Sequence, residues 1–175
     1  TLITKTIHPS FSSVSAKLID NGSNSYLPNV FLGSYGYNYR HGIGNTGFIG
    51  PKFKPKFVDQ DPNSEQFAVK DLELAEGLTL ERLASRMELL KNIDLLKLES
   101  AKQLTESDIH TQEAFKLLTN DRAVKAFEIN QEPDLTRDLY GRTEIGQRAL
   151  LARRLIEAGV HFITIEYRPE SANGG

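Results

Sequence analysis

Hydrophobic spacing is most regular near the end of the chain. Ile145, Ala149, Ala152 and Ile156 recur at helical steps, and Leu151 and Leu155 widen the stripe. This spacing predicts a helix of roughly four turns, capped by Thr143 and ending at Ala158. Gly159 stands where a left-handed C-terminal cap is needed. VHFITIEY follows at once at 160–167, and five of its eight residues are Val, Ile, Phe or Tyr, on both faces. A run apolar on both faces, joined to a helix by one residue, predicts a buried strand of a parallel sheet.

Upstream the pattern is more broken. After Pro9, expected at a first helical position, Phe11, Val14 and Leu18 share one helical face, and the helix should stop near Asp20-Asn21-Gly22. YLPNVFLG, Tyr26 to Gly33, reads as a short strand that Pro28 makes an edge or shortens from its first half. Residues 34–66 are rich in Gly, Tyr, Asn and Pro, a long loop of the kind that often carries function. Within it Lys52, Lys54 and Lys56 alternate with Phe53 and Phe57. Nucleic-acid contact is one reading, and an edge strand guarded by lysines is the plainer one. From 79 to 139 the pattern is helical. Thr79 caps a stripe of Leu83, Met87 and Leu90, Thr105 to Asp108 opens a second helix, and Asn120 or Asp121 starts a third. The fold class expected is therefore α/β, a partial α/β/α sandwich with a mostly parallel sheet and a helical section in the middle. Residues 1–175 read as one partial domain: a strand- and loop-rich part at 1–78, a helical section at 79–139 and a helix–strand unit at 140–175.

Composition narrows the chemistry. With 21 basic and 23 acidic residues the net charge is −2, which argues against a nucleic-acid partner. No apolar run is long enough to span a membrane. Cysteine is absent, which removes disulfides, thiolate metal sites and a cysteine nucleophile. Gly42 to Gly47 spells GxGxxG, but FIGPKFKPKF follows, and its two prolines forbid the helix that a dinucleotide site needs.

Four histidines, His8, His41, His110 and His161, form no helical metal-binding pair. His161 lies within the predicted strand and His110 on a polar helix face. His8, ahead of Pro9-Ser10 at a helix start, is a catalytic candidate there or simply part of the cap. His41, beside Arg40 in the long loop, can face a cleft and bind substrate. Arg142, in Tyr140-Gly141-Arg142-Thr143, either binds an anion at a helix start or pairs with acidic neighbours such as Asp138. No G-x-S-x-G elbow is present. The residues alone predict an α/β fold without a reaction.

Several segments together resemble one bacterial family. HPSFSSVSAKL at 8–18 is similar to its His-Pro-Ser helix start, TGFIG at 46–50 to its Gly-Phe-Leu-Gly loop, and LTLERLASRMELLKNID at 78–94 to one of its helices. The strongest likeness is 117–166, through YGRTEIGQRALLARRLIEAGVHF. Glu144 and Ile145 depart from it, standing where a Pro-Phe pair is common. These segments resemble the domain-of-unknown-function 1501 family, sulfatase-like members of the alkaline-phosphatase superfamily. The resemblance implies an exported, periplasmic or secreted protein that uses a divalent metal to hydrolyse small sulfate or phosphate esters. A binding or scaffolding protein that keeps the sandwich is the alternative. The resemblance also implies that this is a central piece truncated at both ends. Gly174-Gly175 would then open the family's Gly-Gly-Trp-Asp-x-His metal motif, with its Asp and His ligands expected after Gly175. His8, Arg142 and Gln147 would be left to act on the substrate side or behind the metal ligands.

Overall fold

The computed structural model describes residues 8–20, 27–34, 42, 44–69, 85, 88 and 120–167. In chain order these form α1 (Phe11–Ile19), β1 (Asn29–Leu32), β2 (Lys56–Val58), α2 (Asp121–Phe127), α3 (Asp134–Tyr140), α4 (Glu144–Glu157) and β3 (Phe162–Ile165). Short 3-10 turns lie at Gly47–Ile49, Pro51–Phe53 and Ile129–Gln131. The predicted His110 and the caps at Thr79 and Thr105 lie outside the described residues.

The sheet is parallel throughout, in the order β2-β1-β3. Leu32 is in register with both Val58 and Ile165, and Phe31 with Phe57 and Thr164. Because successive side chains alternate between faces, this register sorts the sheet into two surfaces. Val30, Leu32 and Val58 belong to the main core, together with Leu150, Leu151 and Leu155 of α4 and Ala123, Ala126 and Phe127 of α2, and half-buried Ile163 and Ile165 pack against it. Phe31 and Phe57 occupy the other surface, with ring centroids 5.2 Å apart. That surface faces α1, whose Phe11 meets Phe162 edge-on at 5.9 Å. Helices thus cover both faces of a parallel sheet, as the α/β expectation requires.

The helix–strand unit follows its sequence signals closely. The Thr143 hydroxyl accepts from the Gly146 amide at 3.2 Å, closing the start of α4. Gly159 takes φ +101°, and the Val160 amide returns to the Leu155 carbonyl at 2.9 Å. The buried face, however, is centred on Leu151 and Leu155, while Ile145 and Ile156 are exposed. The widening pair is thus the centre of the buried face, and the stripe of Ile145, Ala149, Ala152 and Ile156 is its rim. β3 is half-buried along its length, because among the described residues it pairs on one side only.

Three local expectations change. The N-cap of α1 is Ser10, whose hydroxyl accepts from the Ser13 amide at 3.3 Å, so Pro9 precedes the helix instead of opening it. Its buried face is Ser12, Ser13 and Ala16, while Phe11, apart from its edge contact with Phe162, and Leu18 are largely exposed. Small side chains let α1 sit close over a sheet surface already filled by phenylalanines. Pro28 does shorten its strand, which starts at Asn29, yet β1 is the central strand and all four of its residues are buried. Proline's missing donor costs nothing there because it falls before the ladder begins. Of the three lysines, Lys56 opens β2, at the edge of the described sheet, and Lys52 lies in a 3-10 turn.

Candidate functional site

Parallel strands deliver their C-terminal ends to one edge, the usual place for a site in an open α/β sheet. Here that edge gathers Gly33 and Ser34 after β1, Asp59 and Asp61 after β2, and Glu166 after β3. The ladders continue one step past the strands, with Gly33 N donating to Val58 O and Glu166 N to Leu32 O, both at 2.9 Å. Asp59 and Glu166 therefore flank Gly33, their backbones about 10 Å apart across two strand spacings.

Gly33 is what allows Glu166 to fold inward. A Cβ there would lie 2.5 Å from Glu166 Cβ and 2.6 Å from its Oε2. Without that atom, the carboxylate crosses the end of β1 and accepts the Ser34 amide proton at 2.7 Å. Behind it, buried Arg148 donates to the Glu166 carbonyl at 3.3 Å and pairs with Glu144 one turn back on α4. The Arg148 Nε is buried with no hydrogen-bond partner.

The corner between α3 and α4 adjoins this edge through the loop after β2. Asn63 donates to the Arg142 carbonyl at 3.0 Å, and buried Arg137 donates to the Pro62 carbonyl at 3.3 Å. Arg137 also reaches Asn130 Oδ1 at 3.0 Å and Gln147 Oε1 at 2.8 Å. The Gln147 amide nitrogen in turn donates to the carbonyls of Arg137, at 2.9 Å, and Gly141, at 2.8 Å. These carbonyls belong to the last turn of α3, where helical partners run out, so Gln147 is the cap of that helix. Gly146 packs against the same turn, where a Cβ would lie 2.2 Å from Tyr140 O.

The predicted residues are distributed as follows. Gln147 is completely buried, with its amide engaged as above. Arg142, close by at the same corner, bonds Asp138 at 2.5 Å and Asp134 at 2.6 Å. Its hydrogen bond, followed by its charge, holds the Asp134 carboxyl below the usual carboxylate range. The Arg142 guanidinium is raised in turn, first by Asp134 and then by Asp138. His8 is exposed on a different element, two residues before the Ser10 cap. His41 lies outside the described residues. His161 is half-buried at the start of β3, the opposite end of the strand from Glu166, with Nδ1 buried and unpartnered.

Gly33, Asp59, Arg137 and Glu166 were not singled out from sequence. The available signal was the pair of predicted strands ending at Gly33 and near Glu166, since strand ends are where α/β sites gather. Among the described residues no three His, Asp or Glu side chains are disposed to hold a metal ion. Glu166 and Asp59 do not make a ligand set by themselves. A cleft of about 250 Å³ between the ends of α2 and α4 is lined by Arg122, Lys125, Arg154 and Glu157. Its arginines are helix caps: Arg154 donates to the carbonyls of Ala126 and Lys125 at 2.9 and 2.5 Å, and Arg122 to that of Glu157 at 3.0 Å.

No curated protein and no solved structure matches the chain. One family does, described as "Protein of unknown function (DUF1501)", over residues 2–169. A match over that much of the sequence, on a parallel sheet covered by helices on both faces, establishes that the chain belongs to the DUF1501 family.

Proposed function

We propose that this chain is part of an exported, sulfatase-like hydrolase that cleaves sulfate or phosphate esters with a divalent metal. Its reaction centre is placed at the C-terminal edge of the sheet. The observation that supports this placement is the convergence of Gly33-Ser34, Asp59 and Glu166 at the ends of three parallel strands. Glu166 is fixed by a backbone amide in a position where a carboxylate can orient a ligand or accept a proton. The metal would neutralise charge on the ester oxygens, and it needs ligands beyond the carboxylates described. The test uses the full-length protein: metal content, then hydrolysis of aryl sulfate and aryl phosphate esters with and without chelator. Metal-dependent turnover that falls in Glu166→Gln supports the proposal, and a metal-free protein inert to both esters ends it.

A non-catalytic binding or scaffolding protein is the second reading. It is favoured by the engagement of Arg142 and Gln147 in intramolecular bonds, which leaves the α3–α4 corner looking structural. Metal binding without turnover would select it. Export is tested by cell fractionation of the full-length protein, and retention in the cytoplasm would refute that part.

A further inference from the structure

We draw no further inference here: the strongest candidate, the outward apolar face of α1 formed by Phe11, Leu18 and Ile19 together with exposed Phe48, carries nothing because nothing in the structure shows what covers it.

Discussion

Replacing Gln147 with Met tests whether the α3–α4 corner is held by its buried polar network. Methionine keeps the length and volume of the side chain but removes every polar atom. Three groups then lose their partner: the Arg137 Nε and the carbonyls of Arg137 and Gly141. Burial is complete at Gln147, so water cannot substitute without opening the packing. A buried group left unsatisfied costs about 1–3 kcal/mol, and more where it is charged. Partial relaxation of the two carbonyls reduces the sum, so the expected loss is about 3–5 kcal/mol. With a urea dependence of about 1–3 kcal/mol per molar, the unfolding midpoint should fall by at least about 1 M. Arg137→Met should cost a similar amount, and the double variant less than the two together, because both break the bond between Arg137 Nε and Gln147 Oε1. A midpoint for Gln147→Met within ~0.3 M of the parent, well below that expected shift, would refute the reasoning. Additive losses in the double variant would show that the two side chains act separately.

Gly33→Ala should destabilise by about 1–3 kcal/mol, since the new methyl meets Glu166 and the Phe31 ring, the latter at 2.7 Å. Adding Glu166→Gly should recover part of the loss in thermal unfolding, and no recovery would mean that Phe31 alone is the obstacle. The Asp134 carboxyl is depressed in the fold, so its stabilisation is present above its unfolded value of 3.8 and lost as pH falls through the lower folded value. Arg142→Ala should therefore flatten the acid limb of stability as pH falls below 3.8. An unchanged acid limb would place no weight on this pair, whose aspartate is exposed. Thr143→Ala should cost about 1 kcal/mol through loss of the cap on α4, measured by urea unfolding, and a neutral result would show that packing alone sets the helix start.

The α4–β3 unit was legible because its signals are local: Thr143 before a periodic run, Gly159 after it, then a strand apolar on both faces. The inward face of α1 was not, since Phe11 and Leu18 fit the helical period while the buried positions are Ser12, Ser13 and Ala16. Which face a helix buries depends on the surface it meets, built here from residues far apart in sequence. The same limit applies to the site. Arg142 and Asp138 stand four residues apart, so their pairing could be read from the chain. Gln147 and the carbonyls it caps are separated by a corner at Gly141, whose geometry no periodicity reports. Glu166 and Ser34 lie 132 residues apart and meet only because β1 and β3 are parallel neighbours.

The placement of buried charge bears on where the chemistry should lie. Most of the core is aliphatic and aromatic, yet two guanidinium groups are buried near the strand-end edge. Arg148 offsets its desolvation with Glu144, which is itself half exposed, and one of its nitrogens has no partner. Arg137 has no carboxylate at ion-pair distance among the described residues and relies on Asn130, Gln147 and the Pro62 carbonyl. Taking a charge out of water costs several kcal/mol, and neutral partners repay it incompletely. A sequence selected for stability alone would place apolar side chains at both positions. Both arginines instead hold backbone that leads into the edge: Arg148 at Glu166, and Arg137 at the loop carrying Asp59 and Asp61. Local rules tend to be broken where function requires it. The cost is concentrated at the C-terminal edge of the sheet, not at the cleft between α2 and α4, whose arginines are accounted for as helix caps. That contrast is the physical reason for preferring the edge over the cleft as the proposed site.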